Sequence, residues 1–472
     1  MAKPQDTMKW FNNASQHRVL LAGVILVALV VRLAAALYMG NEIKNLPGLT
    51  DQISYHTLAN RVIDGHGFTF GENWWPATRA GEPTAHWSYL YTFYLIDVYT
   101  LFGSNPLVAR TIQVVLTTIL QTVLVYLIGS TLFNRAVGVI AAALLAGYAY
   151  LIYYAPALLT ESFYITAVLA TLYLSIQMTR DDLAPIGRVG LAVSLGLCIG
   201  IAVLLRQLFL LTLPFIFLWI LWSASRPKAA ANEPLPNQPG PAAPIRKRVG
   251  WTLAQLAISA VVLALMILPF TVYNYARFHS LVLLNTNAGY AFYWANHPIY
   301  GTQFEWIISR EKSNYLEMLP KELMSQKLNE AELERELLKR GIQFVLDDPW
   351  RYALLSLSRI PSYFTFWPTP RSSLLSNLSR VLSFGITWPF MLYGMIAALR
   401  KLSRKEFLSS PVFLLFLFFA IYSLIHILTW TMPRYRVPVD AVLLIFAAYA
   451  LRDLYLRIRA RLGRPAAAPA VR

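Results

Sequence analysis

The chain has 472 residues, of which 57% are hydrophobic and 14% charged, with a formal net charge of +17. A soluble protein carries nearer a quarter charged residues, so the composition excludes one and indicates a many-span membrane protein. The positive charge does not indicate nucleic acid, because the basic residues fall in short loops and at the tail, as in cytoplasmic loops, where they can also meet anionic head groups.

Residues 19–37 form the first apolar run. It is too long for a cleaved signal segment and reads as an uncleaved first span. Lys3, Lys9 and Arg18 precede it, which sets the N-terminus in the cytoplasm and Asp51 outside. Residues 86–102 decide the topology of the rest. As a span they would bury Asp97 in hydrocarbon at a cost of ~3 kcal/mol or more. Their tyrosines and tryptophan favour the membrane–water interface, so the segment is expected to lie there as a helix on the outer surface.

With that parity, residues 111–132 run inward, 137–154 outward, 161–178 inward, 189–205 outward and 208–222 inward. A basic, Pro- and Ala-rich cytoplasmic linker is expected over 223–249. Residues 251–273 then go out, a large outer region spans 274–380, and 381–399, 412–429 and 439–456 complete about ten spans. The expectation is an all-α polytopic protein in three parts: an N-terminal membrane module (1–273), an outer α-rich region (274–380), and C-terminal membrane helices with a basic tail (381–472). Within the outer region, residues 320–346 carry apolar residues at helical spacing and read as one amphipathic helix. No internal repeat suggests an inverted-repeat transporter.

Under this topology two acids share the outer face. Asp51 opens the helical stretch after the first span, and Glu161 begins the inward run after Leu158-Leu-Thr. Either can be read more simply, Asp51 as a helix cap and Glu161 as a partner of its helix dipole. Their joint placement favours chemistry. Arg206, Arg434 and Arg436 fall at outer turns and Arg32 in the outer third of the first span. Ionisable residues at membrane depth are functional candidates, although arginines there also snorkel, and Arg32 could do so or pair with a nearby acid. Guanidiniums beside carboxylates suit a lipid phosphate leaving group, which arginine binds in a forked geometry. The 285–298 segment, with Asn287, Tyr290 and Asn296, offers amides and aromatic faces of the kind a sugar site uses, and equally those of an interface loop.

Cys198 is the only cysteine, so no intrachain disulfide or cysteine-based metal site is possible. The seven histidines show no metal-ligand spacing, and no phosphate-binding glycine loop, HExxH or GxSxG motif is present.

The order of these features resembles the C-type membrane glycosyltransferases (GT-C fold), in the branch of protein mannosyltransferases and bacterial aminoarabinose transferases. It comprises Asp51 with Tyr55 after the first span, Gly65-His-Gly67, Glu82-Pro83 before an aromatic segment, Leu101-Phe-Gly103, Thr160-Glu161, Arg206, the Asn287–Pro298 segment and Arg434-Tyr435-Arg436-x-Pro438. The resemblance implies a polyprenyl-phosphate sugar donor, a lipid, glycan or protein acceptor, and inversion at the anomeric carbon on the outer face. The setting it implies is a cell-envelope membrane, such as the bacterial inner membrane. It places the catalytic aspartate on Asp51 and a second acid on Glu161, which would position the acceptor, orient Asp51 or share a divalent cation such as Mg or Mn. Donor-phosphate binding maps to Arg206, Arg434 and Arg436. Many relatives carry Arg or Lys where this chain has Glu82, and His86 stands as the substitute. Tyr55, Glu82, Asn287, Tyr290, Asn296 and Tyr435 are the expected substrate contacts. The rival reading is a flippase for lipid-linked sugars, which would use the same arginines and need no base.

Overall fold

The structure, a computed structural model, describes residues 14–180, 184–226, 244–305, 308, 313–370 and 372–462. Lys3, Lys9 and residues 227–243 of the expected linker lie outside the described residues. Among those described the chain is almost wholly helical, with only isolated bridges at Thr69–Pro83 and Trp74–Thr78. The first half runs α1 (Ala14–Met39), α2 (Asp51–Ile63), α3 (Tyr89–Phe102), α4 (Pro106–Leu132), α5 (Arg135–Gly147), α6 (Ala149–Tyr154), α7 (Glu161–Gln177), α8 (Pro185–Leu205), a 3-10 segment at Gln207–Thr212, α9 (Leu213–Ser225) and α10 (Ile245–Phe278). Then follow α11 (Ala288–Asn296), α12 (Lys321–Met324), α13 (Glu330–Asp347), α14 (Pro349–Tyr363), α15 (Leu374–Arg380), a π-helical turn, α16 (Ile386–Arg400), α17 (Arg404–Ser409), α18 (Pro411–Leu428) and α19 (Val437–Arg461).

Seven helical stretches among the described residues are long and apolar enough to cross a bilayer: 16–39, 106–132, 185–205, 207–225, 245–278, 374–400 and 411–428. The other three expected spans are helical too, but differ from the rest. The 137–154 segment breaks at Tyr148 into α5 and α6. α7 has 17 residues and is mostly buried. α19 is buried at every position from Val437 to Ala450 and forms the centre of the bundle. Gly394 of α16 packs so closely on the Phe446 carbonyl of α19 that a Cβ there would overlap it. Small residues at such crossings let helix backbones approach.

The parity expected around residues 86–102 is visible in the contacts. Arg110, near the start of α4, donates to Gly40 O at the end of α1 (3.2 Å) and to Pro156 O (2.7 Å). The end of α1 and the start of α4 therefore lie at the same end of the bundle, and nothing crosses it between them. α3 has 14 residues, short of the ~20 needed to span, and Asp97 is exposed.

Three expectations are corrected. Arg32 does not snorkel or find an acid. It is fully buried and donates to Thr118 Oγ1 (3.4 Å), Gln121 Oε1 (3.2 Å) and Leu145 O (3.2 Å), so neighbouring helices supply its acceptors. The 320–346 segment is not one helix. A capping box of Asn329 and Glu332 starts α13 at Glu330, because the Asn side chain and the Glu side chain satisfy each other's free backbone donors. The linker ends earlier than expected, since α10 is helical from Ile245 and runs for 34 residues, about 51 Å.

Candidate active site

The site is assembled at the end of the bundle that contains the end of α1. α4 fixes two approaches to it. Gln113 donates to Ala155 O and Ala157 O (2.7 Å each), and with the Arg110–Pro156 bond this pins the irregular 155–160 segment that leads into Glu161. Arg110 also donates to Gln52 Oε1 (3.2 Å), and Gln52 donates to Lys44 O (2.6 Å), which fixes the first turn of α2 beside Asp51. Ser88 caps α3 and donates to Leu204 O (2.9 Å), tying α3 to the last turn of α8 just before Arg206. Arg206 leaves α8 in an extended conformation (φ −149°, ψ 101°), which turns its side chain out of the helical path.

Four charges from four distant parts of the chain meet here. Arg206 Nη2 lies 2.5 Å from Glu161 Oε1, and its Nε donates to Thr160 Oγ1 (3.3 Å). Arg434 Nη2 lies 2.8 Å from Asp51 Oδ2, its Nη1 donates to Gly48 O (3.2 Å), and its Nε is 3.9 Å from Glu161 Oε1. That Nε is buried and has no hydrogen-bond acceptor. Asp51 is the most open of the four, with its side chain 27% exposed against 3% for Glu161, 17% for Arg206 and 14% for Arg434. Tyr435 lies against both guanidiniums, at 5.3 Å from that of Arg206 and 5.2 Å from that of Arg434. Burial lowers the pKa of each arginine, but the facing carboxylates outweigh it and hold both more firmly charged than usual.

A second, mostly neutral patch adjoins the first. Tyr55, one turn along α2, accepts from Ser88 N (3.3 Å) and packs edge-on to Trp87 (5.5 Å). Burial raises its hydroxyl pKa, with Asp51 and Glu161 adding to the rise. His86 packs edge-on to Trp87 (5.1 Å) and Tyr290 (5.6 Å). Burial lowers the His86 pKa, against the pull of Glu330 and Asp51. His86 Nδ1, Trp87 Nε1 and Tyr290 Oη are buried and unpaired. Asn287 accepts from Gln207 (3.2 Å) and donates to His86 O (3.4 Å), so the residue after Arg206 carries the 285–287 segment.

Other expected residues lie elsewhere. Arg436 is fully buried, 2.9 Å from Asp440 Oδ1, and donates to Tyr363 O (2.6 Å). Asn296 accepts from Arg359 Nη2 (2.9 Å) within the outer region. Glu82 is half-exposed, pairs with Arg79 at 3.6 Å and shares no hydrogen bond or ion pair with the four charges. Sequence reasoning missed Trp87 and Glu330. Glu330 is a buried carboxylate that accepts from Thr78 Oγ1 (2.8 Å), Ala85 N (2.8 Å) and Thr286 Oγ1 (2.5 Å). It clasps the 85–88 and 285–287 segments to α13. Its pairing across the chain leaves no local signal, whereas Trp87 adjoins the flagged His86.

As arranged, the donor set does not suit Mg or Mn. Each carboxylate is already engaged by a guanidinium, and among the described residues no group of three or more His, Cys, Asp or Glu side chains could hold a metal. No step is assigned to one.

Comparison with known proteins agrees with this architecture. Residues 89–236, less than half of the chain, match the family model described as dolichyl-phosphate-mannose-protein mannosyltransferase. That segment holds Glu161 and Arg206. The chain is similar to the archaeal oligosaccharyltransferase AglB from Archaeoglobus fulgidus, solved with an inhibitory peptide and a dolichol-phosphate. The identity is 16% and the TM-score 0.57, over 95% of this chain and 51% of that one. It is also similar to the apo form of the Archaeoglobus fulgidus oligosaccharyltransferase, at 18% identity and TM-score 0.56, over 96% and 53%. ArnT from Cupriavidus metallidurans bound to undecaprenyl phosphate is similar at 14% identity and TM-score 0.41, over 97% and 82%. No curated protein matches the chain. The fold is that of the C-type membrane glycosyltransferases. Within it, residues 89–236 carry the pattern of a mannosyltransferase family, and the chain spans about half the length of the solved oligosaccharyltransferases.

Proposed function

We propose that the protein is an inverting glycosyltransferase that moves a sugar from a polyprenyl-phosphate donor to a lipid, glycan or protein acceptor on the outer face of the membrane. The observation that carries this reading is the convergence of Asp51, Arg434, Glu161 and Arg206 in one cluster. Asp51, the most open of the four, takes the proton from the acceptor hydroxyl or amine. The acceptor atom bonds to the anomeric carbon on the face opposite the phosphate. The sugar–phosphate C–O bond breaks and its electron pair stays on the phosphate oxygen. Charge develops there, and fixed cationic donors stabilise it. Arg206 and Arg434 supply them, and the unpaired Nε of Arg434 is the donor left open for a phosphate oxygen. A phosphate leaves without protonation, so no general acid is needed.

Two arginines and two carboxylates sum to no net charge before the donor binds. A phosphate that draws Arg434 to itself frees Asp51 to act as base, so donor binding and activation are one event. Glu161 holds Arg206 in place. Arg436, turned to Asp440, supports the turn that presents Arg434 and does not touch the donor. A flippase needs no base, and the pairing of Asp51 within the phosphate-binding cluster favours the enzyme. The test is release of polyprenyl phosphate from a panel of polyprenyl-phosphate sugars by the purified protein in sealed proteoliposomes, with Asp51→Asn as control. Release by the wild type alone supports the reading. Donor that crosses the membrane equally with both proteins overturns it.

A further inference from the structure

A cavity of about 380 Å³ lies between the 73–83 segment and residues 316–333, within the ~300–1,000 Å³ typical of small-molecule sites. Its lining is mixed. Trp75, Leu316 and Met324 contribute apolar surface and are 42%, 53% and 40% exposed. Asn73, Arg79 and Glu82 contribute an amide, a guanidinium and a carboxylate. Asn73 accepts from Ala80 N (3.0 Å) through its carbonyl oxygen, which leaves its NH2 to donate. Glu82 meets Arg79 only at 3.6 Å, so its carboxylate retains acceptor capacity.

The cavity shares a wall with the candidate active site. Trp74, which lines it, donates to Ser54 Oγ (2.9 Å) on the first turn of the helix opened by Asp51. Trp75 stacks on Trp294 (5.5 Å, 22°) and meets His86 edge-on (5.7 Å). Aromatic surface with donors and acceptors around it matches a sugar ring, which has apolar C–H faces and a rim of hydroxyls. Arg79 Nη2 donates to Gln326 O (2.8 Å), which fixes the guanidinium at the rim of the cavity beside the Glu82 carboxylate.

The geometry points to this cavity as the acceptor subsite for an oligosaccharide, gripped by Trp75, Arg79, Glu82 and Asn73 and reaching past Trp75 to Asp51. The inference rests on the glycosyltransferase reading and narrows its acceptor to a glycan.

The test omits the donor, so its failure is separate from failure of donor release. Full-length protein in nanodiscs is titrated with the methyl glycosides of mannobiose, galactobiose and N-acetylchitobiose, and binding is read by saturation-transfer NMR and tryptophan fluorescence. At least one disaccharide is expected to bind saturably. Trp75→Ala and Arg79→Ala should each weaken it by about tenfold or more. Arg79 is a half-exposed side chain, so its variant stays informative if Trp75→Ala fails to fold. No saturable disaccharide binding, binding unchanged in Arg79→Ala, or uptake of a serine-rich peptide in place of every disaccharide each overturns the inference.

Discussion

Arg434 holds Asp51 at 2.8 Å with one nitrogen and leaves another, buried and unpaired, 3.9 Å from Glu161. In the proposed mechanism, this guanidinium shared between two acids exchanges a carboxylate for a phosphate. Asp51→Asn removes the base and keeps the shape. Transfer should fall by ~10²–10⁴-fold, the usual worth of a positioned base, while affinity for polyprenyl phosphate is kept or improved. Turnover and donor binding measured side by side check this, and unaltered turnover would remove Asp51 from the chemistry.

Arg206→Ala should do two things that a second variant separates. It leaves Glu161, 3% exposed, with only the 3.9 Å contact to Arg434, and breaking a buried pair costs ~3–5 kcal/mol. Pairing it with Glu161→Gln should restore most of the thermal midpoint. Donor affinity should stay low in both proteins, because the phosphate ligand is gone from both. Recovery of donor binding along with stability would assign Arg206 a purely structural role.

Arg436 and Asp440 predict the opposite pattern. Both are fully buried, and Tyr148 donates to Asp440 Oδ2 (2.7 Å). Asp440→Ala should destabilise by ~3–5 kcal/mol, whereas a paired apolar replacement, Arg436→Met with Asp440→Leu, should be nearly neutral. The double variant should still bind polyprenyl phosphate. Loss of donor binding in a stable double variant would return Arg436 to the donor site.

The pH dependence of stability has a defined sign. Burial lowers the pKa of His86, and it does the same for His56 and His297. The unfolded chain therefore takes up protons first, near pH 6.5, and the folded protein only at lower pH. The stability that these neutral rings allow is present in full above about pH 6.5 and is lost as pH falls below it. His86→Gln should flatten the decline of the thermal midpoint from pH 7 to 5 in part, since other histidines of the same sign remain, His56 and His297 among them. An unchanged slope would show that His86 does not titrate in this way.

Much of this was legible locally. Hydrophobic runs and flanking arginines are short-range signals, and one decision at Asp97 set the parity of every later helix. Asp51, Glu161, Arg206 and Arg434 were each marked by a turn next to an apolar run. The role of Arg436 was harder to read because it sits two residues from Arg434 and looks equivalent. Asp440 stands four residues on, a spacing that pairs side chains on a helix, and that was the available clue. α14 also had its signal, since Asp348 accepts from Arg351 N (2.9 Å) as an N-cap ahead of Pro349. Glu330 had none. Its three partners come from two distant segments, and only the folded chain brings them together. The tyrosine at the break, Tyr148, is likewise held from another helix, by Asp440.

The central position of α19 bears on how the protein is made. The ribosome delivers this helix after nearly all the helices that surround it, and Arg434 emerges just ahead of it. Until then the axis of the bundle is unfilled and Asp51 lacks its cation. A nascent chain at that stage already carries Asp51, Glu161 and Arg206, yet lacks the guanidinium that the folded protein sets between the two acids. The four-charge cluster is therefore completed late in membrane insertion, when Arg434 reaches Asp51 and Glu161.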